Sequence, residues 1–196
     1  MKKGDILELY KSKDTVFTIK ELAMVWRMTN ANNLKSKIKY YLDQGELFRV
    51  RRGVYATEKD YNLFEAANKI YSPSYVSFET ILQLEGVIFQ YSEQVFLAAS
   101  LSRQIEVKGQ AIVYRKLKEE ILINKAGIVF KDHYYRASKE RALMDMLYLN
   151  KNYYFDNLRS IDWQKCLALL DVYQQESLSR SLRNLSQNKN ASLDKA

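Results

Sequence analysis

The chain has 196 residues, 47% of them hydrophobic, with 31 Lys and Arg against 23 Asp and Glu for a formal charge of +8. That composition supplies a buried core for one or two domains and excludes a disordered regulator or an acidic tail protein. A single cysteine, Cys166, and a single histidine, His133, exclude an internal disulfide framework, a multi-thiolate zinc site and a two-histidine ligand set, so neither cofactor nor metal is expected. The opening Met1-Lys2-Lys3-Gly4-Asp5 lacks the features of a signal peptide, and no apolar run approaches the roughly 18 residues of a membrane span. A basic, soluble, cytoplasmic protein with no membrane partner is expected.

In chain order, Lys3 to Lys13 places Ile6, Leu7 and Tyr10 at helical spacing and predicts a short helix. Thr18-Ile19-Lys20-Glu21 has the pattern of a capping box and opens a second helix to about Arg27, with Leu22, Ala23 and Trp26 turned inward. After the polar break Met28-Thr29-Asn30, a third helix runs from about Asn30 to Gln44 and stops at Gly45. Leu34, Ile38, Tyr41 and Leu42 form its apolar stripe. Asn32, Asn33, Ser36, Lys39 and Tyr40 fall on the opposite face, with Lys35 and Lys37 on the flanks. Leu47 to Ala56, interrupted by Arg52-Gly53, reads as a tight two-stranded hairpin.

Three short helices followed by a basic hairpin predict a winged helix-turn-helix over residues 1–60. Between Arg27 and Arg52 lie seven basic residues against Asp43 and Glu46, the footprint of a module that binds a polyanion. A helix-turn-helix sets the first turns of its recognition helix against base edges in the major groove, so Asn32, Asn33 and Ser36 are the candidate base readers. Lys35, Lys37, Lys39, Tyr40, Arg51 and Arg52 are the candidate phosphate contacts, which position the protein without reading sequence. Arg51 and Arg52, at the hairpin tip, are placed to touch either the flanking backbone or a minor groove.

From Tyr61 to residue 196 a second α+β domain is expected. Helices are predicted over Tyr61 to Tyr71 and Phe78 to Glu85, the first stopped by Ser72-Pro73 and the second closed by Gly86. Strand-like runs follow at Glu93 to Ser100, Arg103 to Val107, Gln110 to Leu117 and Gly127 to Tyr135. Ser138 is placed to cap a helix from Lys139 to Leu149, and helical patterns resume at Trp163 to Tyr173 and Glu176 to Leu185. The last ten or so residues are expected to fray.

For catalysis the residues offer little, and the chain is expected not to be an enzyme. Glu106-Val107-Lys108 has the Glu-x-Lys spacing of metal-dependent nuclease cores, for which only Glu93 stands as a second acid. Cys166 reads as a buried small hydrophobe, and fifteen tyrosines are spread over every segment.

The order of three stretches resembles the AbiEi-type antitoxins of bacterial abortive-infection (type IV) toxin–antitoxin systems. They are the basic hairpin Leu47 to Tyr55, the segment Tyr75 to Ile88 (YVSFETILQLEGVI) and the helix Ala137 to Leu147 (ASKERALMDML). Glu85 before the glycine and Arg141 in place of a lysine depart from the family pattern. Tyr75, Ser77, Glu79, Gly86, Glu140 and Asp145 read as caps, turns and buried pairs, with Asp145 and Arg141 spaced to pair along one helix. The resemblance implies an antitoxin that binds inverted repeats in its own promoter, represses its operon and counteracts a nucleotidyltransferase-like toxin without a stable complex. The alternative is a winged-helix transcriptional repressor whose C-terminal domain senses a ligand or dimerises; a metal-dependent nuclease is the remaining reading.

Overall fold

The computed structural model describes residues 4–193, with side chains over 5–187. Its contacts divide the mixed α+β chain into two compact units. One holds the chain up to Ser72 together with Asp132–Tyr134; the other holds Pro73–Lys131 and the chain from Tyr135 on.

The first unit runs α1 (Gly4–Tyr10), β1 (Val16–Thr18), α2 (Ile19–Val25), α3 (Ala31–Asp43), β2 (Phe48–Arg51), β3 (Val54–Ala56) and α4 (Leu63–Ile70). The three strands form one antiparallel sheet in the order β1-β3-β2. Ile6, Leu9, Phe17, Leu22, Trp26, Leu34, Ile38, Tyr41, Leu47 and Tyr55 make a single apolar core, to which α2 and α3 contribute the stripes that their period predicts. Helix α1 differs: it buries Ile6 and Leu9, three residues apart on one face, and leaves Leu7 and Tyr10 exposed. The unit extends past residue 60 because α4 belongs to it. Glu65 on α4 is fully buried, and its carboxylate accepts from the backbone N–H groups of Thr15 and Val16 at 2.9 and 2.8 Å and from the Thr15 hydroxyl at 2.6 Å. Lys69, one turn on, donates to Asp14 at 3.0 Å and also to Glu21.

The second unit is built on a six-stranded sheet in the order β6-β7-β5-β4-β9-β8. Its strands are β4 (Ser74–Val76), β5 (Val95–Ala99), β6 (Arg103–Val107), β7 (Gln110–Lys116), β8 (Ile128–Lys131) and β9 (Tyr134–Ala137). The sheet is mixed: β5 runs parallel to β7 and β4 to β9, while β4–β5 and β6–β7 are antiparallel. The helices are α5 (Phe78–Leu84), α6 (Glu119–Ile123), α7 (Lys139–Leu149), α8 (Trp163–Ala168), α9 (Leu170–Tyr173) and α10 (Glu176–Leu193). As predicted, Ser138 caps α7 by accepting from the Arg141 N–H, at 3.1 Å.

Several elements differ from the sequence reading. The run Gly127 to Tyr135 is a hairpin and not one strand, because Asp132 and His133 adopt φ of +51° and +70° and reverse the chain between β8 and β9. The helix expected over Trp163 to Tyr173 breaks at Leu169 into α8 and α9. Strands β1 and β4 and helix α6 were not anticipated. Lys3 and part of the stretch expected to fray lie outside the described residues.

Candidate nucleic-acid interface

Helix α3 is set by its ends. Asn30 caps it, its side chain accepting from the N–H groups of Asn32 and Asn33 at 2.9 and 3.0 Å. At the other end Gly45 takes φ +69° just past the helix, where a left-handed residue lets the chain leave. There is no acidic residue in the first turn, so the positive end of the helix dipole is uncompensated.

The approach to α3 is equally defined. The capping box of α2 is present: Glu21 N–H donates to the Thr18 hydroxyl at 3.3 Å, and Thr18 N–H donates to the Glu21 carboxylate at 2.7 Å. Arg27 closes α2 at φ +51°, and Met28 N–H reaches back to the Ala23 carbonyl at 2.9 Å. Trp26 then fastens three helices together. Its indole N–H donates to the Asp5 carbonyl at 2.8 Å on α1, and its ring lies 5.5 Å from that of Tyr41 on α3.

With α3 clamped on this side, Asn32, Asn33, Lys35, Ser36, Lys39 and Tyr40 are all exposed. Asn32, Ser36, Lys39 and Asp43 fall on one ridge of the helix, with Asn33 and Tyr40 on one flank and Lys35 on the other. Among the described residues, no ion pair engages Lys35 or Lys39, and no hydrogen bond engages the side chains of Asn32, Asn33 or Ser36.

Lys37 does not join this face. It is 8% exposed, its ammonium sits 2.7 Å from the Asp5 carboxylate and 4.7 Å above the Trp26 ring, and its charge is spent inside the unit. A phosphate contact from Lys37 would have to break that pair, so the interface is drawn without it. The sequence contains no local signal for this, because Asp5 is on another helix.

The hairpin supplies the second basic element. Arg51 pairs with Val54 across a turn made by Arg52 and Gly53, with Gly53 at φ +82°, and a bulge between Arg49 and Arg51 twists the strand. The Gly53 carbonyl accepts from Ile19 N–H at 2.8 Å, which ties the turn to the start of α2. Arg52 is exposed and Arg51 half-buried, and Arg49, also exposed on β2, is a cation that the sequence reading passed over because it lies away from the tip.

In the second unit the motif residues converge on a closed polar centre. Arg141, fully buried, donates to Asp145 at 3.2 Å, to the Tyr75 hydroxyl at 2.9 Å and to the carbonyls of Ile121 and Ala126 at 2.6 and 2.8 Å. Asp145 also accepts from Ser77 at 2.7 Å and Tyr173 at 2.6 Å. Burial pushes the Asp145 carboxyl up, against the opposing pull of Arg141 and the three hydroxyls. Burial and the neighbouring carboxylate push the Tyr75 and Tyr173 hydroxyls well above the ordinary tyrosine range. Arg141, Asp145, Tyr75 and Ser77 are all buried, so this satisfied polar network ties α7 to β4, to α6 and to the loop after α6.

Nearby, Arg115 lies 4.4 Å above Phe96 and bonds to Glu79 at 2.7 Å. Burial raises the Cys166 thiol to about 12, which leaves it unreactive. Glu106 is exposed on β6, at the edge of the sheet, and Lys108 sits in the following turn at φ +53°. Among the described residues no group of three or more His, Cys, Asp or Glu is placed to hold a metal ion. No helix there is long and apolar enough to cross a membrane. Comparison of the chain with known family models and with curated proteins returns no match.

Proposed function

We propose that the first unit is a winged helix-turn-helix that binds double-stranded DNA, with α3 as its recognition helix and the β2–β3 hairpin as its wing. The observation that carries this reading is the unpartnered polar face of α3: three small hydrogen-bonding side chains in its first turns, then two free ammonium groups, beside an arginine-tipped hairpin. The element order α1-β1-α2-α3-β2-β3 supports it, since a helix reaching a groove and a hairpin reaching the adjacent backbone are what such a module requires. Asn32, Asn33 and Ser36 read base edges; Lys35, Lys39 and Tyr40 hold phosphates, and Arg51 and Arg52 meet the flanking backbone or minor groove.

The chain as a whole acts as an antitoxin that represses its own operon, its second unit counteracting a nucleotidyltransferase-like toxin. This part rests on the AbiEi-type motifs, of which Tyr75, Ser77 and Asp145 meet at one point in the structure. The test is binding to the duplex upstream of the gene against a scrambled duplex of equal length, across a salt series. Preference for the native duplex by ~10³ or more is the expected result. Equal, steeply salt-dependent affinity for both would leave only a basic surface. Rescue of growth by the full chain in cells expressing the neighbouring toxin tests the second half.

A further inference from the structure

The recognition face of α3 is informative for what it omits. The helix reads ANNLKSKIKYYLD and contains no Arg, Gln, Glu or His. Arginine to guanine is the commonest specific contact in a major groove, and no side chain on this helix can make it. Lysine can also reach guanine, yet Lys37 is held by Asp5. Lys35 lies on a flank, about 60° round the helix from Asn32, and Lys39 is about two turns further in.

Two amides remain at the leading end. Each offers one acceptor and one NH₂ donor, the complement of adenine N6–H and N7. They are free to do so because Asn30 alone carries the capping task, accepting from both of their backbone N–H groups. Had either amide capped the helix itself, its oxygen would be spent. Fixing those two N–H groups also fixes where the side chains leave the helix, about 100° apart on consecutive residues.

The hairpin points the same way. Arg51 leads into the turn and Arg52 stands in it, neither with an ion pair among the described residues, and the narrow minor groove of A·T-rich DNA concentrates the negative potential that draws arginine in.

We infer that the DNA read by this chain is A·T-rich, with adenines opposite Asn32 and Asn33 in the major groove and a narrowed A·T minor groove beneath Arg51 and Arg52. The inference rests on the DNA-binding reading above and goes further, by naming the base.

The test uses the full chain to select from a pool of randomised duplexes, followed by titration of the best duplex remade with 7-deazaadenine, which deletes N7 while keeping Watson–Crick pairing. The expected result is a motif dominated by A·T pairs in which one 7-deazaadenine weakens binding by about 5- to 150-fold. Asn32→Ala or Asn33→Ala then loses a similar factor on the parent duplex and little more on the modified one, because both changes remove the same contact. A motif centred on G·C pairs, or 7-deazaadenine without effect at every selected adenine, overturns the inference and leaves DNA binding standing. Equal, steeply salt-dependent affinity for every duplex in the pool overturns the inference and leaves only a basic surface; binding to no duplex removes the DNA-binding reading itself.

Discussion

The Lys37 ammonium on α3 is bonded to the Asp5 carboxylate on α1 at 2.7 Å, so a lysine in the middle of a basic helix works as an internal strut. Its neighbours in sequence and this residue therefore separate experimentally. Lys39→Ala should weaken binding to all duplexes alike and lower the salt slope by about one, the mark of a lost phosphate contact. Lys37→Met should leave the slope unchanged and lower the thermal midpoint of the first unit. A slope that falls equally in both variants would return Lys37 to the DNA face.

Asp145→Asn leaves the Arg141 guanidinium buried without its counter-charge. Removing one member of such a pair costs about 3–5 kcal/mol. The two tryptophans, Trp26 and Trp163, lie one in each unit, so a Trp26→Phe background makes fluorescence during urea unfolding report the second unit alone. The loss should appear there; a midpoint unchanged by Asp145→Asn would show that the pair contributes little.

Gly127→Ala should be costly for two reasons. The residue adopts φ +71°, and an added Cβ would come within 2.8 Å of the Arg141 Cβ. Overpacking of this kind costs about 1–3 kcal/mol. The same urea experiment measures it, and a loss below a few tenths of a kcal/mol would mean that the neighbouring backbone gives way.

Acid should destabilise the first unit through Glu21. Partial burial pushes this carboxyl up, but hydrogen bonds from Lys69 and Thr18 outweigh it and hold it below its ordinary value of 4.5. A lowered folded-state value stabilises above pH 4.5, and that contribution is lost as pH falls through the lowered value. Lys69 behaves in the opposite sense: burial pulls it down, Glu21 and Asp14 hold it above 10.5, and its contribution is lost as pH rises through the raised value. Thermal melts across pH should show a shallower acid limb in Glu21→Gln than in the parent. Identical limbs would place the acid sensitivity elsewhere.

What could be read from the chain was what local chemistry decides. The Thr18-to-Glu21 box, the Ser138 cap, the Arg52-Gly53 turn and the apolar stripe of α3 all act within one helix or one hairpin, and each sits where its residues predict. Strand β1 was not legible because its three residues become a strand only by pairing with Val54–Ala56. Strand β4 likewise depends on Leu97–Ala99. The turn at Asp132-His133 lacks the glycine that announces a tight reversal, so the run around it looked continuous. Of the candidate interface, the face of α3 followed from its period, while the inward course of Lys37 depended on a partner on α1.

Glu65 has a consequence for where the chain can be cut. Strand β1 lies at an edge of its sheet, and the carboxylate of Glu65 occupies the place that a fourth strand would take, receiving the N–H groups of Thr15 and Val16. A fragment ending at residue 60 would keep every residue of α3 and the hairpin yet lose this stopper. Its bare strand would then be open to the next molecule's backbone, so such a fragment should self-associate more readily with rising concentration than the whole chain.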